Sequence, residues 1–422
     1  MKTIIIFIII FGLLVLVHEF GHYYFARKSG ILVREFSIGM GPKLFATRKN
    51  GTTYTIRWLP LGGYVRMAGA ADDEAELDAG TMATLIFDAN HKVQTINTSD
   101  KIVSTDGIPF QISKTDLEHE LYVEGYENGD ESELKHFAVN HDATIIEKDG
   151  TEVQIAPIDV QFQSASIPKR MITNFAGPMN NFIFAILVFI LFAFVRGGVP
   201  SNANVVGQIV PNSPAAKANV ETGDIIEKIQ GHQVKSFTEA STLISKRANK
   251  VTAVMINRNG HRQNIQITPK TVTVNKKKVG QIGIGQPVDT SVGAKVSYGW
   301  TGFVGISSQI FQVLGKMLTG HFSLNQLAGP VGIYTMTSQF AANGFASILY
   351  FLAYLSVNLG IINLIPIPAL DGGKLILNII EGIRGKPIPQ EKEAIVTLIG
   401  AGILVLLMVA VTFNDFQRIF QR

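Results

Sequence analysis

The chain has no cysteine among its 422 residues. This absence excludes disulfide bonds and thiolate ligands, so any metal site must be built from imidazole and carboxylate groups. Charged residues are also scarce, at 17% of the chain, whereas hydrophobic residues reach 46% and the mean hydropathy is +0.24. This balance is typical of a membrane protein that also has sizeable polar parts.

Charge of either sign shows no strong excess. The net charge is +4 and the basic residues are scattered, without interleaved aromatic residues, so we expect no nucleic-acid partner.

The first apolar stretch is not followed by a small-x-small cleavage site. We therefore expect residues 1–26 to form an uncleaved transmembrane helix, in preference to a signal peptide.

Four apolar segments are long enough to cross a bilayer of about 30 Å. They cover residues 1–26, 171–195, 348–373 and 394–414. Basic residues flank the segments in the connections between the first and second and between the third and fourth, namely Arg27, Lys28, Arg34, Lys169 and Arg170 in the one and Lys374, Arg384, Lys386 and Lys392 in the other. The positive-inside rule places these two connections in the cytoplasm. The sequence thus predicts a multi-pass protein of the plasma membrane, with the connection between the second and third segments outside the cell.

Residues 298–345 allow either a fifth span or an amphipathic helix on the membrane surface. Apolar residues recur there at three- and four-residue steps, as at Phe303, Ile306 and Ile310, and polar residues such as Ser307 and Gln312 interrupt them. This pattern favours the surface helix.

The first cytoplasmic connection contains two β-rich parts. Within residues 27–70, two alternating stretches, 54–58 and 64–67, flank a Gly-Gly turn, which predicts a β-hairpin with an apolar tip. A membrane-associated hairpin and a hairpin packed in a soluble core fit this pattern equally well. Residues 71–168 are polar and acidic, and predict a small cytosolic insert with no sign of chemistry.

Residues 202–285 predict short strands and one helix. Their order, with Ser-Pro-Ala-Ala-Lys-Ala from Ser213 and a Gly-Asp turn at Gly223, resembles a PDZ domain of the type found in bacterial proteases. PDZ domains bind extended peptides or chain ends by adding a strand to a sheet edge. A β-sandwich without a ligand is the alternative.

His18, Glu19 and His22 form an HExxH motif at the end of the first apolar run. On a helix the two histidines share a face and can bind one zinc ion, while Glu19 lies about 100° around the helix. Ionisable groups inside a membrane cost about 2.5–3.5 kcal/mol each, so they usually pair, bind something or do chemistry. A carboxylate beside a zinc ion suits peptide hydrolysis. Two buried histidines satisfied by hydrogen bonds are the alternative.

A catalytic zinc site needs a third protein ligand, and no histidine or glutamate close to the motif offers one. Asp371 ends the third apolar segment on the predicted cytoplasmic side, at the same depth as His18 and His22. Pro366 and Pro368 before it cannot continue a regular helix. We therefore predict that Asp371 completes the site, although alone it would be an ordinary acid flanking a helix.

These motifs together resemble one family. HExxH in the first span, N-x-x-P-x-P-x-L-D-G-G from Asn363, and one PDZ domain between the second and third spans are similar to the site-2 proteases, which are intramembrane zinc metalloproteases. The resemblance covers nearly the whole chain and is greatest to the Gram-positive, single-PDZ form of the RseP, RasP and Eep branch. It implies that His18, His22 and Asp371 bind zinc and that Glu19 is the catalytic base.

The resemblance also implies substrate-binding residues. Asn181 matches the family's G-P-x-x-N motif in the second span, and Asn358 and Asn363 match asparagines near the cleavage site. Gly63 and Tyr64 belong to a stretch that looks like the family's membrane-dipping β-element, which holds substrate as an extended strand.

We therefore expect a polytopic α-helical membrane protein with four transmembrane helices, a membrane-associated β-hairpin, a cytosolic β-rich insert and one extracytoplasmic PDZ domain. Its expected activity is that of a zinc endopeptidase that cuts transmembrane segments of single-span proteins, with the active site toward the cytoplasm. In the family such substrates include anti-sigma factors, remnant signal peptides and pheromone precursors. The alternatives are a PDZ-bearing membrane scaffold, which needs no Glu19, and a metal transporter, which needs ligands from more helices.

Overall fold

The computed structural model describes residues 2–69, 77–99, 107–148, 150–274, 277–320 and 323–420. Parts of the predicted insert, residues 71–76, 100–106 and 149, lie outside these ranges. The chain divides into two compact units, one formed by Met1–Ile186 with Phe303–Arg422 and the other by Leu187–Gly302.

The first helix, α1 (Lys2–Lys28), leads into two long strands, β1 (Val33–Lys49) and β2 (Thr52–Met67). Both strands bend sharply, so that one segment of β1 pairs with two segments of β2. Glu35 of β1, for example, lies opposite both Thr53 and Arg66 of β2. Gly39 and Gly62 have positive φ, at 89° and 97°, which a bend of this kind requires. The register gives four sheet segments in the order 43–49, 52–57, 35–38 and 63–67.

This pairing differs from the predicted hairpin. Residues 54–58 and 64–67 do not pair with each other, because segment 35–38 of β1 lies between them. The alternation of apolar and polar residues predicts strands but does not identify their partners. As a result, segment 63–67 is placed at one edge of the sheet.

Six strands form the insert: β3 (Met82–Phe87), β4 (Val93–Asn97), β5 (Ile108–Asp116), β6 (Tyr122–Glu127), β7 (Lys135–Ile146) and β8 (Glu152–Gln154). They pair in the order β4-β3-β5-β6-β7-β8, and a further parallel pairing of β4 with β7 closes β3 to β7 into a barrel. Leu85, Phe110 and Ile112 are fully buried in its core. Closure pairs both edges of each barrel strand and stabilises a small β domain.

The helix α2 (Ile167–Arg196) follows the barrel and continues into the second unit. That unit contains β9 (Val199–Pro200), α3 (Pro214–Lys217), β10 (Ile225–Ile229), β11 (His232–Gln233), α4 (Phe237–Ser245), β12 (Thr252–Arg258), β13 (His261–Ile267), β14 (Lys270–Val274), β15 (Lys277–Gln281) and β16 (Val288–Asp289). Its main sheet has the order β11-β10-β12-β13. Ile226, Ile256 and Ile244 belong to one buried core that joins this sheet to α4.

The rest of the chain is helical: α5 (Val292–Leu318), α6 (Pro330–Ala342), α7 (Phe345–Asn363), α8 (Asp371–Arg384) and α9 (Gln390–Phe420). Within the described ranges, four helices are long and apolar enough to cross a membrane, namely α1, α2, α7 and α9. The four apolar helices that the sequence predicts are thus present. The amphipathic helix α5 is not one of them.

The third predicted span differs in one respect. The segment predicted over residues 348–373 is interrupted, since α7 ends at Asn363 and Asp371 begins a separate helix. Pro366 and Pro368 lie in the interruption, where their rings and missing N–H groups cannot continue α7.

Candidate metal centre

Three buried side chains from α1 and α8 converge on one point, and they are His18, His22 and Asp371. His18 Nε2 lies 3.2 Å from His22 Nε2 and 3.2 Å from Asp371 Oδ2, and His22 Nε2 lies 3.3 Å from the same carboxylate oxygen. Ligand atoms of one tetrahedral zinc ion, each 2.0–2.1 Å from it, are about 3.3–3.4 Å apart. The triangle formed by these three atoms therefore has the size of one face of a tetrahedral zinc site. In the described part of the chain, these three residues are the one group of side chains that could hold a metal ion.

Hydrogen bonding supports a cation at this point. His22 Nδ1 lies 2.8 Å from the Thr173 carbonyl oxygen, which can only accept, so Nδ1 donates and a neutral ring directs its Nε2 lone pair at the other two atoms. Asp371 Oδ2 is buried and has no hydrogen-bond partner. An unsatisfied buried polar atom costs about 1–3 kcal/mol. A bound cation removes that cost and the repulsion between the lone pair and the carboxylate.

The two helices α1 and α2 approach each other closely at this site because two glycines lie between them. A methyl group on Gly21 would lie 2.3 Å from the Ala176 carbonyl oxygen, and one on Gly177 would lie 2.2 Å from His22 Nε2. Small residues allow such close approach of helices in membranes. The glycines therefore bring the α2 backbone within reach of the imidazoles.

The loop before α8 places Asp371 at the first position of that helix. Methyl groups on Gly372 and Gly373 would each lie 2.4 Å from a carbonyl oxygen of this loop, those of Leu364 and Ile367 respectively. The loop thus folds tightly against the first turn of α8, and the two glycines after Asp371 are needed for that contact.

Glu19 directly follows His18 on α1, and its side chain lies beside segment 63–67 of the β1–β2 sheet. A methyl group on Gly63 would lie 3.3 Å from Glu19 Cγ, 2.9 Å from Val15 Cγ1 and 2.7 Å from the Ser37 carbonyl oxygen. Glycine is therefore the residue that allows the sheet edge to run directly beside Glu19.

Tyr64, on the same sheet edge, is held by a network within the sheet. Arg57 donates to the Tyr64 hydroxyl at 2.7 Å, to Glu35 Oε1 at 2.8 Å and to Ser37 Oγ at 3.1 Å. Burial alone raises the pKa of Glu35, but hydrogen bonds from Thr55 and Arg57 outweigh burial and leave that pKa below its ordinary value. The carboxylate therefore stays charged and keeps the arginine in place.

The structure separates the asparagines that the sequence grouped as substrate-binding. Asn358 and Asn363 donate their amide hydrogens to carbonyl oxygens one turn earlier in α7, at 3.2 Å and 3.0 Å. Asn181 is fully buried, and its amide nitrogen lies 2.9 Å from His18 Nδ1. In this structure the Asn181 side chain contacts a candidate ligand, and its predicted role in substrate binding stays a prediction.

Sequence reasoning missed the neighbours of the ligands on α2. Thr173 contributes only a backbone carbonyl, which no side-chain motif reveals. Arg170 forms a buried ion pair with Glu381 of α8, 2.8 Å long, that ties the start of α2 to the helix carrying Asp371. Small residues within the apolar run of α2, such as Gly177, were the available signal for close helix packing.

Comparison with known proteins identifies the family of this chain. Residues 6–407 match peptidase family M50. The chain is 50% identical to "Probable protease eep" of Enterococcus faecalis over 422 residues, covering 100% of both chains. It is 44% identical over 420 residues to "Zinc metalloprotease RasP" of Bacillus licheniformis, covering 100% of both, and to "Regulator of sigma-W protease RasP" of Bacillus subtilis, covering 99% of both. The chain therefore belongs to peptidase family M50 and is a membrane zinc metalloendopeptidase.

Proposed function

We propose that this protein cleaves transmembrane segments of single-span membrane proteins, as a step of regulated intramembrane proteolysis. The observation that carries this proposal is the convergence of His18, His22 and Asp371 at the end of an apolar helix long enough to cross a membrane. The name of the Bacillus subtilis relative, a regulator of sigma-W, favours a signalling substrate such as an anti-sigma factor. Remnant signal peptides and pheromone precursors are the other candidate substrates.

In the proposed chemistry, the two histidines and Asp371 would hold a zinc ion. When bound, zinc would supply Lewis-acid chemistry, which activates a peptide carbonyl and an attacking water molecule. Glu19 directly follows His18 on α1 and is not part of the ligand triangle. It takes the proton from the attacking water and passes it to the amine that leaves.

A transmembrane helix hides its peptide bonds in internal hydrogen bonds, so it must unwind locally before it can be cut. Segment 63–67 is the sheet edge next to Glu19, and we propose that the unwound substrate adds to this edge as an extended strand. Gly63 and Tyr64 would then contact the substrate through their backbone. Asn358 and Asn363 are proposed to hold further parts of it by exchanging their intrahelical bonds for bonds to the substrate.

The proposed sidedness rests on the charge pattern of the sequence. The basic residues around the first and third connections favour a bacterial plasma-membrane protein whose metal centre faces the cytoplasm. On the same argument, we propose that residues 202–285, interpreted as a PDZ domain, lie outside the cytoplasm. We propose that this domain binds a peptide or the outer domain of a substrate and limits cleavage to substrates already trimmed.

Deleting residues 202–285 tests the role of this domain. Cleavage of a pre-trimmed substrate should stay within a few-fold of wild type, whereas cleavage of the same substrate with its outer domain intact should rise. Both rates are measured in vesicles with zinc content as the control for folding. Loss of cleavage of the trimmed substrate by a zinc-loaded deletion variant would show that the domain delivers substrate instead.

Chelation tests the function itself. The purified protein in lipid vesicles should cut a model single-span substrate, lose this activity in a zinc chelator and regain it when zinc is added back. Mass spectrometry of the products should place the cut inside the apolar segment. Cleavage that continues after metal analysis finds no zinc, or cuts confined to the soluble flanks, would exclude the proposed function.

A further inference from the structure

Asn181 offers its side chain to the second nitrogen of a candidate zinc ligand. The residue is completely buried in α2, and its amide nitrogen lies 2.9 Å from His18 Nδ1. The amide oxygen is also buried and has no hydrogen-bond partner. Its backbone carbonyl accepts a hydrogen bond of 2.7 Å from Ser356 Oγ of α7, which fixes the position of this turn of α2.

The tautomer of His18 determines which end of the Asn181 amide must face the ring. Nε2 of His18 faces His22 and Asp371, so it must carry a lone pair to bind a metal. In a neutral imidazole, Nδ1 then carries the hydrogen and needs an acceptor. An amide NH₂ group cannot accept, whereas the amide oxygen can, and the two ends of an asparagine amide are exchanged by a half-turn.

We propose that Asn181 is a positioning residue whose amide oxygen accepts the Nδ1 hydrogen of His18 and so holds Nε2 ready for zinc. The inference rests on the proposed zinc site. On the other histidine, the Thr173 carbonyl accepts the Nδ1 hydrogen of His22 at 2.8 Å. One helix, α2, thus sets the tautomer of both histidines, once through its backbone and once through a side chain. Such partners of metal-bound histidines orient the ring and raise its basicity.

The neighbouring residue provides a matched control. Asn180 donates its amide hydrogen to the Val17 carbonyl at 3.2 Å, so it bonds the same two helices one residue earlier in α1. Asn180→Leu removes a contact between α1 and α2 without touching an imidazole. Asn181→Leu removes the acceptor and keeps the branched shape of the side chain, whereas Asn181→Asp keeps an acceptor oxygen at the same place.

The test measures the zinc dissociation constant of each purified variant in detergent by competition with a chelator. Asn181→Leu should bind zinc about 10- to 100-fold more weakly, as is typical when the partner of a metal-bound histidine is removed. Asn181→Asp and Asn180→Leu should stay within a few-fold of wild type. The visible spectrum of the cobalt-substituted protein should change for Asn181→Leu alone.

Three results would overturn the proposal: unchanged zinc affinity in Asn181→Leu, equal losses in Asn181→Leu and Asn180→Leu, or no recovery in Asn181→Asp. If Asn181→Leu does not fold, Asn181→Ala, which leaves space and adds no clash, replaces it with the same expectations. His18→Gln separates this inference from the site on which it rests. If His18→Gln binds zinc like wild type, the zinc site itself is wrong, whatever Asn181 does.

Discussion

Glu19→Gln should keep its zinc and lose about 100- to 10,000-fold in cleavage rate, the usual contribution of a general base. The three converging ligand atoms belong to His18, His22 and Asp371, so the amide of the variant leaves the coordination triangle intact. Glutamine has nearly the same size as glutamate, and the contact of this side chain with Gly63 is retained. What it loses is the ability to accept a proton from water.

Asp371→Ala is the matched comparison, because it removes a ligand and leaves Glu19 in place. This variant should lose both zinc and cleavage, and metal analysis of the two purified proteins beside a cleavage assay distinguishes them. Normal turnover of Glu19→Gln would exclude Glu19 as the base. Loss of zinc from Glu19→Gln would instead identify Glu19 as a ligand or as a support of one.

The sequence was most informative for features that depend only on residues close together in the chain. Length and hydropathy predict the four apolar helices, since crossing a bilayer needs about 20 apolar residues. The spacing of His18 and His22 predicts a shared helix face, and the charge pattern predicts that Asp371 ends its segment at the same depth. Two prolines before Asp371 indicate the break that the structure places between α7 and α8.

Pairings between distant segments could not be predicted in the same way. The alternation within residues 54–67 is real, but both of its halves pair with β1, which lies earlier in the chain. The parallel contact of β4 with β7 that closes the barrel joins strands separated by two others. Strand alternation has a period of two residues and defines faces, whereas partners are chosen by long-range packing.

Asn181 shows why motif resemblance did not assign every role. Its place in a G-P-x-x-N motif indicates that it lies near the active site. The apolar sequence of α2 does not indicate which residue each of its side chains contacts. Gly21 and Gly177 allow this part of α2 to lie directly against α1. The Asn181 amide contacts His18 in the interior, and the motif alone does not reveal this contact.

Gly63→Ala should lower the cleavage rate about 100-fold while leaving zinc bound, because small misplacements of a substrate platform have effects of that size. The added methyl group would lie 2.7 Å from the Ser37 carbonyl oxygen and 2.9 Å from Val15 Cγ1, so segment 63–67 must move relative to α1. None of the three candidate zinc ligands belongs to the sheet.

Gly12→Ala on α1 is the control, since nothing lies within 4 Å of its added methyl group, and this variant should cleave like wild type. Wild-type cleavage by Gly63→Ala would exclude this edge as the substrate platform, and loss of its zinc would make the edge a support of the metal centre instead.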